Sequence, residues 1–245
     1  MQKFIENDCN SFAFVGVFTN KLSTPQQGPK SLENACKSFE NLNTSIRDGK
    51  IKKEEAQVQL ISQLNEIKAM IPQIILSSSK WAFPLPGYGL KAIGGKNGSG
   101  YISKGYDFFD GNKHGGHPAH DIFISDKNQD SKEDKTEKKV DVRSVLPGIV
   151  LASETEWAQD SNLRGGKYVM VFHAAENLIS YYAHLDSVGV KTGQIVISGE
   201  LIGQLGRTGL NAFKKRSPTH LHFMVLKFDA EKGLVPINPY KFLKY

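Results

Sequence analysis

The chain has 245 residues, of which 39% are hydrophobic, 10% aromatic and 23% charged, and its formal net charge is +6. That length suits one large domain or a domain with an accessory piece. No apolar run approaches the roughly 20 residues of a spanning helix, so no transmembrane segment is expected. The positive excess suits contact with anionic polymers, from nucleic acid to membrane surfaces and the bacterial wall, and equally suits plain solubility.

Residues 1–30 read as irregular, with Pro25, Gly28 and Pro29 marking loop. The opening Met1-Gln2-Lys3-Phe4-Ile5-Glu6 lacks the apolar core of a signal peptide, so an exported protein would have lost its leader before this point. Cys9 and Cys36 are the two cysteines. They could pair in an oxidising compartment and would stay reduced in the cytoplasm.

From Ser31 the pattern is helical. Leu32, Cys36, Phe39, Leu42 and Ile46 fall at three- and four-residue steps, and Asp48-Gly49 ends the run. Leu60, Leu64, Ile67 and Ile71 repeat the steps until Pro72 stops them. Two helices with a short turn predict an antiparallel hairpin. Its apolar seam could pack on its own domain, on another protomer or on a partner.

The character changes at Trp81-Ala82-Phe83-Pro84, after which short β-favouring runs alternate with glycine. A loop-rich stretch leads into His117-Pro118-Ala119-His120-Asp121-Ile122-Phe123-Ile124. Pro118 and the apolar run favour a loop entering a strand over a helix there. Ser125 to Asp141 holds eleven charged residues of both signs and reads as a solvated excursion that could reshape one wall of a cleft.

Strands then follow quickly: a run around Val142–Leu151 broken at Pro147-Gly148, Tyr168–His173 and Ile179–Leu185 as hairpin arms, Val190–Val196, and Leu201–Gly206. The last run contains His220-Leu221-His222-Phe223-Met224-Val225-Leu226. On a strand, His220 and His222 share one face while Leu221 takes the other. The reading is a mainly β fold, an antiparallel sandwich or sheet behind an N-terminal helical hairpin, with residues 1–80 an accessory region and 81–245 the main β domain.

Three places carry chemistry: His117 with Asp121, His184, and His220 with His222. Two imidazoles and a carboxylate match the three-ligand count of a hydrolytic zinc site, which leaves a fourth position for water. Further histidines nearby could move protons or stabilise an oxyanion.

These motifs, in this order, resemble the lysostaphin/LytM-type zinc metallopeptidases of family M23. His117-Pro118-Ala119-His120-Asp121 is similar to the family's H-x-x-x-D, Tyr182-Ala183-His184-Leu185 to its central Y-x-H-L, and His220-Leu221-His222 to its closing H-x-H. Gly206-Arg207-Thr208-Gly209 resembles its G-x-T-G turn, and the likeness spans about residues 82–226. Pro118, Ala119 and His120 stand where the family often has a glycine, and His120 is a rival ligand to Asp121.

The resemblance implies a LytM-type catalytic domain in which His117, Asp121 and His222 hold Zn2+. His184 and His220 would be the unliganded catalytic pair. His220 is then the general base, and His184 orients the water or stabilises the oxyanion, with the reverse division open. The implied substrate is the peptide of peptidoglycan, cross-link or stem, which implies export to the periplasm or cell envelope and no nucleic-acid partner. Two other classes remain: a non-catalytic regulator that binds a wall amidase or another envelope protein through its helices, and a lipoyl-type carrier domain. All five site positions are filled, which disfavours the first, and no lysine in a carrier motif supports the second. His114 is expected at the surface and His173 in a structural role. Lys214-Lys215-Arg216 is either a solvated loop or a contact for an anionic polymer.

Overall fold

Helix α1 (Leu32–Arg47) begins where Ser31 caps it, with the hydroxyl accepting from the Asn34 amide at 3.1 Å. Glu33 in the first turn and Arg47 in the last both suit the helix dipole. Helix α2 (Lys53–Met70) has no side-chain cap and relies on Glu54 and Glu55 in its first turn; it ends just before Pro72. The two form the expected hairpin in a computed structural model that describes residues 31–72 and 80–244. The loop expected over 1–30, with Cys9, lies outside the described residues. Cys36 is a buried free thiol, pushed up to about 12 by burial.

The strands, in chain order, are β1 (Ala119–Phe123), β2 (Lys132–Glu133), β3 (Lys138–Lys139), β4 (Asp141–Arg143), β5 (Gly148–Glu154), β6 (Lys167–His173), β7 (Leu178–Val188), β8 (Ile195–Val196), β9 (Leu201–Leu205), β10 (His220–Asp229) and β11 (Gly233–Ile237). All pairings are antiparallel. The main sheet runs β1-β10-β7-β6-β5-β8, with β11 pairing β10 and β9 linking β4 to β7. Strand β7 spans 11 residues because its first half pairs with β6 and β10 while its second half pairs with β9.

Both faces of the sheet are buried, and strand alternation decides which residue enters which layer. One face presents Ala119, Met170, Phe172, Ile179, Met224, Leu226 and Phe228 to Cys36, Phe39, Leu42 and Ile46 of α1 and to Leu60, Leu64 and Ile67 of α2. The Leu, Ile, Phe and Met side chains among these each contribute roughly 1.5–3 kcal/mol on burial. The other face packs Ile122, Val169, Val171, Tyr182, Leu221, Phe223 and Val225 against Leu85, Val142, Val196 and Ile202. The helical seam thus packs on the sheet of its own chain.

Polar ties fix where α1 lies. Glu40 Oε1 accepts from the Ser153 amide (2.9 Å) and the Thr192 hydroxyl (2.6 Å), and Arg47 pairs with Glu154 at 3.0 Å. The charged stretch after Ile124 is more built than a free excursion. It contains the β2–β3 hairpin, and the buried Asp126 carboxylate accepts from the Asp130 and Ser131 amides. Strand β11, unread in the sequence, closes the end of β10.

Candidate metal centre and its cleft

On β10, His220, His222 and Met224 share the helix-covered face, and Leu221 and Phe223 enter the opposite layer with essentially no exposure. Strand β1 places Asp121 directly opposite His222 in the cross-strand register. His117 sits just ahead of β1, where its backbone exchanges two hydrogen bonds with Ile102 (2.7 and 2.8 Å). His117 Nε2 and His222 Nδ1 each lie 3.2 Å from the same oxygen, Asp121 Oδ1, and His220 Nε2 lies 3.7 Å from it. One ligand atom from each of His117, Asp121 and His222 falls within 4.8 Å of the others, a grouping able to hold a metal ion.

The carbonyls around the site set the ring tautomers, because a carbonyl oxygen can only accept. His117 Nδ1 donates to Gly100 O at 3.2 Å, His220 Nδ1 to Pro218 O at 2.7 Å, and His184 Nδ1 to Thr208 O at 2.8 Å. As neutral rings, His117 and His220 therefore turn Nε2 lone pairs toward a carboxylate oxygen. Lone pairs facing a carboxylate repel unless a cation or proton lies between them. Burial opposes ionisation of Asp121, yet its hydrogen bonds to His117 and His222 hold it well below the usual carboxylate range. The bond to Asp121 raises His117 against the effect of burial, whereas burial lowers His222 despite Asp121.

His184 reaches the cavity through strain. Its φ is 67°, the left-handed region that non-glycine residues seldom occupy, at a cost of about 1–3 kcal/mol. Its amide donates to Gly165 O at 2.9 Å, its carbonyl accepts from Gly206 at 3.0 Å, and Thr208 Oγ1 donates to Leu185 O at 2.7 Å. Gly209, at φ 112°, must be glycine: a Cβ there would meet Arg164 O at 2.4 Å and His184 Nδ1 at 2.8 Å. The Gly206-to-Gly209 turn is thus the clamp that aims the His184 ring. The ring centroid lies 5.0 Å from that of His220 and 5.7 Å from that of His222, and burial pushes its pKa down to about 3, which keeps it neutral.

The His220 strand is pinned from beneath by residues that sequence reasoning missed. Buried Thr219 donates to Asp126 Oδ2 at 2.7 Å and accepts from Arg207 Nη1 at 2.8 Å. Arg207 also donates to Ser217 O and Lys214 O. Position 219, one residue before the H-x-H, was the only hint available.

His117, Asp121, His184, His220 and His222 all line one cavity of about 350 Å³, walled further by Arg164, Tyr106, Tyr181 and, from α1, Asn43, Ile46 and Arg47. His120 points elsewhere. It is buried on the far side of β1, with Nε2 and Asn238 Oδ1 2.9 Å apart, and stands outside the ligand group. His114, expected at the surface, is instead a half-buried wall of the cleft, its ring edge-on to Tyr106 at 4.9 Å. His173 is structural: Nδ1 donates to Pro147 O at 2.9 Å and Nε2 bonds the Ser180 hydroxyl at 2.7 Å. Lys214 and Arg216 reach Asn211 within their own loop.

Among the described residues no helix is long and apolar enough to cross a membrane. Residues 132–239 match the model of peptidase family M23, a span that includes His184, His220 and His222 and begins after His117 and Asp121. Among solved structures, a chain of the SpoIIQ-SpoIIIAH pore-forming complex is 23% identical, covering 68% of this chain and 92% of that one, with a TM-score of 0.44. A zinc-containing peptidase from Vibrio cholerae is 23% identical over 65% of this chain and 39% of its own, with a TM-score of 0.39. Lysostaphin from Staphylococcus simulans is 24% identical over 59% and 48%, with a TM-score of 0.37. At these scores none of the likenesses speaks to activity. No curated protein gives a significant match.

Proposed function

We propose that the protein, whose residues 132–239 match the model of peptidase family M23, is a zinc-dependent endopeptidase that cleaves peptide bonds of peptidoglycan, in cross-links or stem peptides. The observation that carries this reading is the convergence of His117, Asp121, His184, His220 and His222 on a single cavity, whose wall His114 also joins. The donor set fits zinc: two imidazoles and a carboxylate, with the lone pair of neutral His117 facing an anionic oxygen that only a cation or proton can reconcile. Ligands at about 2.0–2.1 Å around a tetrahedral ion lie roughly 3.3 Å apart. The nitrogens of His117 and His222 stand 3.2 Å from Asp121 Oδ1.

His117, Asp121 and His222 would hold the ion. Zinc held there supplies Lewis acidity, which polarises a peptide carbonyl and makes water acidic near neutral pH. His220 Nε2 takes the proton of the attacking water, and the charge it gains is stabilised by Asp121 at 3.7 Å. The same ring then returns the proton to the departing amine. His184 has its one proton committed to Thr208 O, so its Nε2 can only accept. It therefore orients the water rather than donating to an oxyanion.

A peptidoglycan substrate places the protein outside the inner membrane, in the periplasm or cell envelope. The alternative of a regulator that binds an envelope partner through its helices is weakened by their apolar seam, which is spent on the sheet.

Purified peptidoglycan incubated with zinc-loaded protein should release muropeptides with new free amines at one defined bond. His220→Ala should lower that rate by about 10²–10⁴. Absence of new amines with the zinc-loaded wild type would count against the reading.

A further inference from the structure

Two guanidinium groups line the cleft, Arg47 and Arg164, and among the described residues only Arg47 is paired with a carboxylate. Arg164 lies in the loop between β5 and β6, next to Gly165, whose carbonyl holds the His184 amide. Its half-buried side chain lines the same cavity as the histidines. Nη1 donates to His114 O at 2.9 Å and to Asn112 O at 3.4 Å, which fixes the fork against the opposite loop. No other donor of the fork has a partner among the described residues. Nor does any carboxylate among them pair with Arg164.

The other guanidinium of the cavity wall is neutralised within the protein. Arg47, on the wall of the same cavity, is paired with Asp48 at 2.8 Å and Glu154 at 3.0 Å. Among the described residues Asp121 is the only carboxylate lining the cavity, and its Oδ1 already faces three histidine nitrogens. A guanidinium withdrawn from water normally finds an anionic partner, and its planar fork matches a carboxylate in two parallel hydrogen bonds. Here the protein supplies the fork, aims it and leaves the anion out.

We propose that Arg164 is the specificity residue of the cleft and binds a carboxylate carried by the peptide substrate close to the scissile bond. The inference rests on the peptidase reading above. A side-chain carboxylate and a free C-terminal carboxylate offer the same chemistry, and both are available on a peptide substrate. Charge-assisted recognition of this kind favours the acid over its amide by about tenfold to a hundredfold.

The test uses one stem-type peptide made in four forms, with the side-chain carboxyl free or amidated and the C-terminus free or amidated. Binding of a fluorescent label is followed by anisotropy, and cleavage of the same peptides is followed separately. Wild type should bind one acid form about tenfold to a hundredfold more tightly than its amide, and the form that matters names the source. Arg164→Gln should bring that ratio close to one, whereas Arg164→Lys, which keeps a point charge but loses the fork, should retain part of it.

Equal binding of acid and amide by wild type would overturn the proposal, as would an unchanged ratio in Arg164→Gln. Preferential binding lost in Arg164→Gln but without cleavage would uphold Arg164 and sink the peptidase reading. Cleavage without any preference would do the reverse.

Discussion

The β6–β7 hairpin carries a buried histidine at each end, and the two differ in what their second nitrogen meets. At the turn end, His173 has both nitrogens satisfied, by Pro147 O and the Ser180 hydroxyl. At the open end, His184 has Nδ1 tied to Thr208 O and lines the cavity. Burial depresses both, to about 4 and about 3, so both rings are neutral at physiological pH. Burial and a shifted pKa therefore do not separate the two. The proposed role of His184 rests instead on an uncommitted lone pair beside other convergent donors, and strained backbone accompanies it, since His184 alone of the two has a positive φ.

The largest expected effect breaks the pair apart. His184→Ala should lower peptide cleavage by about 10²–10⁴ and, by relieving no structural bond except the one to Thr208, should leave most of the stability. His173→Ala should do the opposite, with cleavage per folded molecule retained and stability reduced by about 2–4 kcal/mol through the cavity and the orphaned Ser180 hydroxyl. Thermal unfolding beside steady-state cleavage reads both. Equal loss of cleavage in the two variants would erase the distinction.

The next effect concerns pH. His173 has a folded pKa of about 4 against an ordinary 6.5, so the unfolded chain binds the proton more readily between those values. Stability from this group is present above pH 6.5 and is lost as pH falls toward 4, by about 3 kcal/mol at 1.36 kcal/mol per unit. His173→Gln cannot titrate and should flatten the decline of Tm across that window. An identical decline in the variant would assign the pH dependence elsewhere. Asp121 acts at lower pH, since a carboxylate held below its ordinary range loses its contribution only as pH falls through the folded value.

The smallest effect lies one residue before the closing H-x-H. Thr219→Val keeps the shape but removes the hydroxyl shared by Asp126 and Arg207. It should cost about 1–3 kcal/mol and lower the turnover through a looser His220, with little change in metal affinity. Turnover and zinc binding unaffected by the substitution would show that Thr219 does not position that ring.

How much of this was legible in the sequence follows from the range of the interactions involved. The helical hairpin and the shared face of His220 and His222 come from periodicity, which is local, and the structure has both. The step from loop into strand after Pro118 was readable for the same reason. Strand β11, the hairpin inside the charged stretch and the packing of α1 beside the cleft depend on partners far away in sequence. Arg164 was invisible because its significance is the absence of a counter-ion, which no local pattern records. The reading of His114 as a surface residue failed similarly, since the glycines around it bend the loop back over the cavity.

The most direct test of the centre itself is anomalous diffraction at the zinc edge from crystals of the zinc-loaded protein. One peak is predicted, within about 2.0–2.2 Å of a nitrogen of His117, a nitrogen of His222 and a carboxylate oxygen of Asp121, with His184 and His220 outside the coordination sphere. A peak at His120, or none among these three residues, would contradict the account.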